Sequence, residues 1–231
     1  VWSASSTGDG REVAKGGVAQ LIDPNTRKAV TDLACDNFPC VLMGNDSNRI
    51  HSDNDESNDG VITNEVMGLA DDESENTRIN MLNFIRGRKW SQEKGVYESF
   101  PHMGDMLHTE PVIVTYNEDY KSSPEANGQV IYAATNEGYL HAFNTVTGKE
   151  IFAFMPSSLM KNIPVQYYNS SIGQHAYGID GIISKRIVRD ENGAVERVLL
   201  YFGLRRGGRE YYALDVTNPN DPILMWKVDA K

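Results

Sequence analysis

The chain of 231 residues carries 22 Lys and Arg against 32 Asp and Glu, for a formal net charge of −10. Residues 46–77 hold ten acidic residues against one basic residue, so a single segment carries nearly all of this net charge. Nucleic-acid binding is therefore not expected, because phosphate contacts need a basic face. Since no apolar run reaches the roughly 18 residues of a membrane span, the sequence also predicts no transmembrane segment.

The N-terminal part of the chain gives weak signals of regular structure. Apolar residues between Asp9 and Ile22 have the spacing of a short helix, although Gly16 and Gly17 in its middle disfavour it by roughly 1 kcal/mol each. No leader of basic and then apolar residues opens the sequence, but a cleaved or internal segment would look the same. One strand is expected over residues 38–43.

Two cysteines, Cys35 and Cys40, enclose the residues DNFP. This spacing, with Pro39 inside it, suits a small loop closed by a disulfide. A zinc site would need further Cys or His ligands at matching spacing, and the neighbouring sequence has none. The disulfide predicts an extracytoplasmic location, because structural disulfides persist in oxidising compartments; two free structural thiols are the alternative.

Residues 46–72 are predicted to form a loop, since they are dense in Asp, Asn, Ser and Gly. Residues 55–60 (DESNDG) match the start of a calcium-binding loop, in which alternate residues point oxygen atoms inward and Gly occupies position six. The predicted Ca²⁺ ligands are Asp53, Asp55, Ser57, Asp59, the Val61 carbonyl and Thr63. Position twelve is Val66, with Glu65 one residue early, so an acidic loop that is simply solvated is the alternative.

Residues 71–87 carry the clearest helix signal. Acidic residues crowd the predicted first turn, arginines follow later, and Gly87 occupies the position of a C-terminal cap. The predicted apolar side consists of Ile79, Met81, Leu82, Phe84 and Ile85. We expect this amphipathic helix to dock on the flank of the remaining fold, with a polar connection following over residues 88–100.

A strand pattern repeats in the C-terminal half of the chain. Residues 128–154 contain three short strands separated by the turn clusters NEG and TGK, in which Gly supplies a positive φ. A shift of 71 positions carries these strands onto residues 198–203, 210–215 and 222–226, and carries residues 111–114 onto residues 182–185. Four strands that repeat with one offset predict the four-stranded antiparallel blades of a β-propeller. Two unrelated antiparallel meanders are the alternative.

The residue types used in catalysis form no recognisable constellation in the sequence. We interpret His102 and His108 as structural or surface residues, and His141, inside a strand, as a packing residue. No Ser-His-Asp order, nucleophile elbow or phosphate-binding Gly loop stands out. Three arginines within residues 205–209 occupy the turn equivalent to NEG, where they could bind an anion or simply keep a hairpin tip soluble.

The repeats resemble the quinoprotein-type propeller blade, whose core motif reads A-x-D-x-x-T-G. Residues 142–148 (AFNTVTG) and, more loosely, residues 213–217 (ALDVT) match this motif. More specifically, the chain resembles the PilY/PilC family of type IV pilus biogenesis and tip adhesion factors. The motifs behind this resemblance are VWSA at 1–4, KGG at 15–17, NFIRG at 83–87, GDMLHTEPV at 104–112, GYLHAF at 138–143 and GGREYYALDVT at 207–217.

The expected fold is therefore mainly β: a partial, quinoprotein-like β-propeller of four-stranded antiparallel blades with a helix-containing N-terminal segment. Residues 1–103 would form this segment, which includes the acidic loop and the amphipathic helix. Two blades would follow over about residues 104–160 and 175–231. Because closed propellers use about four to eight blades, we expect the remainder of the propeller from the same longer chain.

The family resemblance implies a non-enzymatic, secreted protein at the cell surface or pilus tip, associated with the outer membrane. It implies contacts with minor pilins or other pilus components, and with host or abiotic surface ligands. These contacts would support pilus assembly and extension, twitching motility and adhesion. Some members carry a calcium loop of the form D-x-D-x-D-G-x-x-D beyond the blade equivalent to residues 200–231, and the Asp55 loop matches that form in part.

Two other functions remain open at the level of sequence. A quinone-cofactor-dependent dehydrogenase would use the same blade type, but would normally need a metal near the cofactor and adjacent cysteines, whereas Cys35 and Cys40 are five positions apart. A structural scaffold without a ligand of its own is the third possibility.

Overall fold

The computed structural model describes residues 17–51, 61–169 and 176–229, in which strands predominate. The helices are α1 (Gly17–Leu21), α2 (Glu75–Ile85) and α3 (Ile163–Tyr168). The strands are β1 (Ala29–Thr31), β2 (Cys40–Val41), β3 (Arg88–Ser91), β4 (Val96–Ser99), β5 (Val112–Thr115), β6 (Gln129–Ala134), β7 (Leu140–Asn144), β8 (Glu150–Met155), β9 (Ser184–Arg189), β10 (Val195–Gly203), β11 (Glu210–Asp215) and β12 (Ile223–Asp229).

Two antiparallel meanders form the body of the structure and confirm the predicted fold class. Strands β5 to β8 make the first blade, and β9 to β12 make the second. Each blade also gains a fifth strand from the N-terminal segment, since β1 pairs in parallel with β8 and β2 pairs antiparallel with β12. The outermost strand of a blade has unpaired N–H and C=O groups, and a neighbouring extended segment satisfies them.

The two blades repeat the same order of four strands, but the predicted offset of 71 positions does not hold for every strand. Tyr132 pairs with Ala142, and Tyr201 pairs with Ala213, so the second strands are offset by 69 positions and the third strands by 71. The fourth strands are offset by 74, from Phe152 to Trp226. The turns between strands therefore differ in length, as connecting loops tolerate insertions better than the paired strands do.

The turn in the A-x-D-x-x-T-G motif is built by its side-chain oxygen. Asn144 Oδ1 accepts hydrogen bonds from the backbone N–H groups of Val146 and Thr147, at 2.8 and 2.9 Å. In the second blade, Asp215 Oδ1 accepts from Thr217 N at 3.0 Å. Short polar side chains favour such turns, so the motif specifies the same local geometry in both blades.

The two blades pack face to face through aromatic side chains. The ring of Phe154 in the first blade lies 6.4 Å from Phe202 and 5.9 Å from Tyr212 in the second, edge-on to both. Beyond this cluster, the Tyr116 hydroxyl donates a 2.6 Å hydrogen bond to the Val216 carbonyl. Edge-to-face aromatic pairs add about 0.5–1.5 kcal/mol to the burial of their surface.

Residues 29–41, which we call the strap, run along the outer edges of both blades. The strap contains the predicted disulfide between Cys35 and Cys40, which is confirmed. Asp32 is buried within it: its Oδ1 accepts a hydrogen bond from Ser157 N at 2.7 Å, and its Oδ2 lies 2.7 Å from Lys227 Nζ. Because Ser157 follows β8 and Lys227 belongs to β12, this one carboxylate joins the two blades.

The predicted helix over residues 71–87 is confirmed, though it is shorter than expected. The helix begins after Ser74, whose hydroxyl accepts a hydrogen bond from Thr77 N. Asp71 and Asp72, which were expected in the first helical turn, lie in a separate turn before it. Its buried side includes Met81, Leu82 and Ile85 as predicted, whereas Ile79 and Phe84 are only partly buried.

The polar connection expected over residues 88–100 is wrong, because β3 and β4 form an antiparallel hairpin there. Trp90 and Tyr97 stabilise this hairpin as an aromatic pair across the strands, with ring centres 5.1 Å apart. The sequence signal for the hairpin was weak because charged residues interrupt its strands. Among the helices of the described residues, none has the length and apolar character needed to cross a membrane.

The Asp32 carboxylate gives a testable prediction for the strap. We expect Asp32→Asn to lower the free energy of unfolding by about 1.5–3 kcal/mol, because the amide keeps the Ser157 hydrogen bond but loses the charged partner of Lys227. Urea denaturation would measure the change. The matched control is Asp46→Asn, in a side chain that is 89% exposed and should cost less than about 0.5 kcal/mol. If the two substitutions lowered the free energy of unfolding equally, Asp32 would not stabilise the contact between the two blades.

Candidate functional site

A buried charge cluster lies between the first blade and the N-terminal segment. Arg27 Nε is 2.8 Å from Glu150 Oε2, and His141 Nδ1 is 2.8 Å from Glu150 Oε1. These three side chains are at most 4% exposed. The guanidinium of Arg27 also lies 4.6 Å from the ring centre of Tyr139 and donates to the Ile85 carbonyl at 2.8 Å. The cluster therefore joins β7, β8, α2 and the segment before β1.

The charges in this cluster stabilise one another. Burial opposes ionisation of Glu150, but the charge of Arg27 and the hydrogen bond from His141 lower its pKa to about 2. Burial likewise disfavours the charged form of Arg27, but Glu150 raises the pKa of the guanidinium overall. Burial raises the pKa of the nearby Tyr139 hydroxyl. Glu150 and Arg27 are thus held as an ion pair across the ordinary pH range.

Arg86 extends the cluster toward the N-terminal segment. Its guanidinium donates to the carbonyl of Pro24 at 2.9 Å, to that of Arg27 at 3.4 Å, and to that of Ile50. Burial lowers the pKa of Arg86. Since backbone carbonyls inside a protein need a donor, Arg86 satisfies groups that the irregular N-terminal segment leaves outside regular hydrogen bonding.

A second polar site lies between α2, the β6–β7 turn and α3. His102 Nε2 lies 2.6 Å from Glu137 Oε1, and Gly104 N donates to Glu137 Oε2 at 3.2 Å. Burial disfavours the charged forms of both side chains, but their pairing raises the pKa of His102 and lowers that of Glu137. A cavity of about 190 Å³ adjoins this pair, and Phe84 and Gln166 are among its lining residues.

A third polar site joins the segment before β5 to the segments that precede β9 and follow β10. His108 Nδ1 lies 2.7 Å from Asp180 Oδ1, and Arg205 Nη1 lies 3.7 Å from Asp180 Oδ2. Asp180 is buried, whereas Arg205 and His108 are partly exposed. These side chains line a cavity of about 430 Å³, together with Ile182 and Tyr211.

The predicted calcium site lies partly within the described residues. Asp53, Asp55, Ser57 and Asp59 lie outside the described residues. Val61 and Thr63 lie within them, and Thr63 begins a turn in which its hydroxyl accepts a hydrogen bond from Val66 N at 3.3 Å. Elsewhere, within 17–51, 61–169 and 176–229, no group of three or more His, Cys, Asp or Glu side chains is arranged to hold a metal ion. The calcium loop stays a prediction.

The other predicted residues take structural positions. His141 is fully buried in β7, which confirms its interpretation as a packing residue, although its pairing with Glu150 was not foreseen. Residues 205–209 do form the turn equivalent to NEG, where Arg205 contacts Asp180 and Arg206 stacks over Tyr177 at 5.3 Å. A charged residue at position 150, beginning an otherwise apolar strand, was the available signal for the buried cluster.

The two stacked antiparallel sheets, with their shared turn motif, define the chain as part of a β-propeller. A family model described as the PilY1 beta-propeller domain matches residues 110–231, more than half of the chain. The chain therefore belongs to that family, which confirms the resemblance seen in the sequence motifs.

Two relatives are similar to most of the chain but are much longer. It is 30% identical to the type IV pilus biogenesis factor PilY1 of Pseudomonas aeruginosa strain UCBPP-PA14 over 182 residues, which cover 69% of the chain and 15% of the relative. It is 34% identical to a PilY1 homolog of Xylella fastidiosa strain Temecula1 over 165 residues, covering 63% of the chain and 13% of the relative. The chain thus matches less than a sixth of the length of either relative.

A solved structure is also similar in sequence. The crystal structure of the Pseudomonas aeruginosa PilY1 C-terminal domain is 29% identical, over 48% of this chain and 20% of that chain, with a TM-score of 0.29.

The buried cluster gives the second testable prediction. We expect Glu150→Gln to lower the free energy of unfolding by about 3–5 kcal/mol, because it leaves the buried charge of Arg27 without a counter-ion. The control is Glu125→Gln, whose carboxylate lies 3.2 Å from Lys149 in an exposed pair worth about 0–1 kcal/mol. Thermal and urea denaturation of both variants would measure the difference. A loss for Glu150→Gln no larger than for the control would show that the ion pair does not stabilise the fold.

Proposed function

We propose that this chain is a propeller portion of a protein that acts in type IV pilus biogenesis. The observation that carries the proposal is the match of the PilY1 beta-propeller domain model to residues 110–231, which contain both blades. Relatives that cover most of the chain are named as pilus biogenesis factors. The role extends to pilus assembly and extension, twitching motility, and adhesion to host or abiotic surfaces.

We propose further that the chain works by binding and not by catalysis. Three of its buried carboxylates are engaged with other side chains or with backbone groups: Glu150 with Arg27, Glu137 with His102, and Asp32 with Ser157 and Lys227. The two cysteines, which a quinone site would normally use as neighbours, instead close a loop on the strap. These features support a scaffold whose partners contact its surface, with minor pilins or other pilus components as the expected partners.

The disulfide supports an extracytoplasmic location. Disulfides form and persist in oxidising compartments and are rare in the cytosol, and the bond between Cys35 and Cys40 closes the strap that joins the blades. We propose that the protein acts at the cell surface or pilus tip, in association with the outer membrane; the names of its relatives as pilus biogenesis factors support a surface location.

Deletion and complementation in the source bacterium test the pilus role. We expect in-frame removal of the gene to abolish or strongly reduce the pilin recovered from the cell surface by shearing, and to reduce the twitching zone. The wild-type gene and the Glu125→Gln control should restore both. Unchanged surface pilin and twitching in the deletion strain would overturn the proposed function.

A binding assay separates this function from the quinone-dependent alternative. Purified chain is mixed with pyrroloquinoline quinone and Ca²⁺, and the bound quinone is measured by absorbance and mass spectrometry, with dye-linked turnover as a second measurement. We expect neither stoichiometric binding nor turnover. Either result in the positive would favour the dehydrogenase over the binding scaffold.

Calcium binding is a separate proposal for the acidic loop. Oxygen ligands at alternate positions suit this hard cation, so we expect calorimetric titration with Ca²⁺ to release or absorb heat, and saturation to raise the melting temperature. At a free concentration about 100 times the dissociation constant, binding would add about 2.7 kcal/mol to stability. Asp55→Asn with Asp59→Asn should remove both effects, whereas Asp71→Asn with Asp72→Asn should not. No heat and no thermal shift in the unaltered chain would eliminate the site.

A further inference from the structure

One cavity of the structure is enclosed by four separate parts of the fold. Phe84 of α2, Gly104 of the segment before β5, Asn136 of the β6–β7 turn and Gln166 of α3 all line it. Its volume is about 190 Å³, whereas an engineered apolar cavity of about 150 Å³ already binds benzene. The cavity therefore has room for a small organic group.

Hydrogen bonds fix two walls of this cavity relative to each other. Gly104 N donates to Glu137 Oε2 at 3.2 Å, and Asn136 N donates to the Asp105 carbonyl at 2.8 Å. A Cβ atom at residue 104 would lie 2.6 Å from the backbone nitrogen of Glu137, so Gly104 permits a close approach that a larger residue would prevent. The segment before β5 and the β6–β7 turn thus form a rigid part of the wall.

An aromatic group forms the apolar part of the wall. The ring of Phe84 stacks on that of His102, with centres 4.9 Å apart, and meets the ring of Tyr167 edge-on at 5.5 Å. Met103 also lines the cavity, and its flexible side chain can adapt to the shape of a ligand. This part of the wall suits the methylene groups of a short aliphatic chain.

Gln166 contributes a hydrogen-bond acceptor that lacks a donor. Its Nε2 donates to the Glu137 carbonyl at 3.0 Å, which fixes the orientation of the amide, since the opposite orientation would bring two acceptor oxygens together. Its Oε1 is buried and has no hydrogen-bond partner within the part of the chain that the structure describes. A buried acceptor without a donor is costly. Because Gln166 lines the cavity, a group bound there can supply that donor.

The charges around the cavity favour a cation. Two of the charged side chains that line it, His102 and Glu137, pair with each other at 2.6 Å. The charge of Arg27 also reaches Glu137, but Arg27 is itself paired with Glu150. Asp105, which lines the cavity and is exposed, adds a negative charge to these pairs. Deprotonation of His102 would make the site more negative still.

We propose that this cavity binds a primary ammonium group carried on a short aliphatic chain. The ammonium group, which has three donors and no acceptor, donates to Gln166 Oε1 and is attracted by the Asp105 carboxylate. The aliphatic chain packs on Phe84 and Met103. The lysine side chain of another protein and a free polyamine share this chemistry. The proposal rests on the geometry of the cavity and does not depend on the proposed pilus function.

Saturation-transfer NMR, in which the signals of the small molecule are observed, tests this site on the protein produced from its own gene. The probes are butylammonium, its neutral counterpart n-butanol and its anionic counterpart butyrate, each titrated at neutral pH. We expect butylammonium to bind about ten-fold more tightly than either of the others, because a charged donor forms a hydrogen bond roughly twice as strong as a neutral one.

Two substitutions locate the binding within the cavity. Asp105→Asn removes the negative charge but keeps the shape, and should weaken butylammonium binding about two- to five-fold, as for an exposed ion pair. Gln166→Met removes the acceptor and should weaken it about ten-fold. The matched control is Asp119→Asn, at an exposed position between β5 and β6, which should leave binding unchanged. Melting temperatures show that each variant folds, and Asp105→Asn decides alone if Gln166→Met does not.

A second series separates the two sources of the ammonium group. A blocked peptide with a central lysine is compared with diaminobutane, and the same peptide with norleucine in place of lysine is the control. Tighter binding of the lysine peptide would assign the site to a side chain presented by a partner protein, and tighter binding of diaminobutane would assign it to a free polyamine.

Three results would overturn the proposal. The absence of saturation transfer to butylammonium would show that the cavity binds no amine. Equal binding of butylammonium and n-butanol would show that the cavity selects only apolar groups. Weakening by Asp119→Asn as large as by Asp105→Asn would attribute the binding to the overall negative charge of the protein.

Discussion

A blade of four strands cannot be stable alone, because each of its faces must be covered by a neighbouring element and its outermost strand has an open hydrogen-bonding edge. This constraint explains the role of the N-terminal segment. The strap supplies β1 to the edge of β8 and β2 to the edge of β12, and Asp32 joins the two blades where the strap passes between them. The strap precedes both blades in the sequence, yet it supplies the fifth strand of each blade. The blades therefore depend on a segment that is not part of the repeated sequence pattern.

The buried charges follow from the same requirement. An irregular segment that packs against a sheet brings carbonyl groups out of water, and Arg27 and Arg86 donate to the carbonyls of Pro24, Ile50 and Ile85. Two buried cations would be costly without an anion. Glu150, ionised beside Arg27, reduces that cost. The backbone carbonyls thus need the two arginines, and the arginines need the Glu150 carboxylate. We therefore interpret the buried charge as a means of packing a non-repetitive segment on a repetitive fold.

The sequence predicted the features that depend on local pattern. Strands β5 to β8 and β9 to β12, helix α2 and the loop between Cys35 and Cys40 all follow from alternation, helical spacing or a turn residue within a few positions. The pairing of β1 with β8 and the contact of Arg27 with Glu150 join residues more than 120 positions apart, and no local pattern encodes such pairs. The single repeat offset failed for a related reason, since pairing fixes strands relative to one another but leaves turn length free.

Three of the motifs that carry the family resemblance contain residues that build the described fold. In NFIRG, Arg86 donates to three carbonyl groups and Gly87 adopts a φ of +93° at the end of α2. In GYLHAF, Tyr139 and His141 belong to the buried charge cluster, and in GGREYYALDVT, Asp215 builds a turn. Sequence similarity through such residues identifies a shared architecture. These side chains are engaged inside the fold, so similarity at these positions does not identify a binding partner.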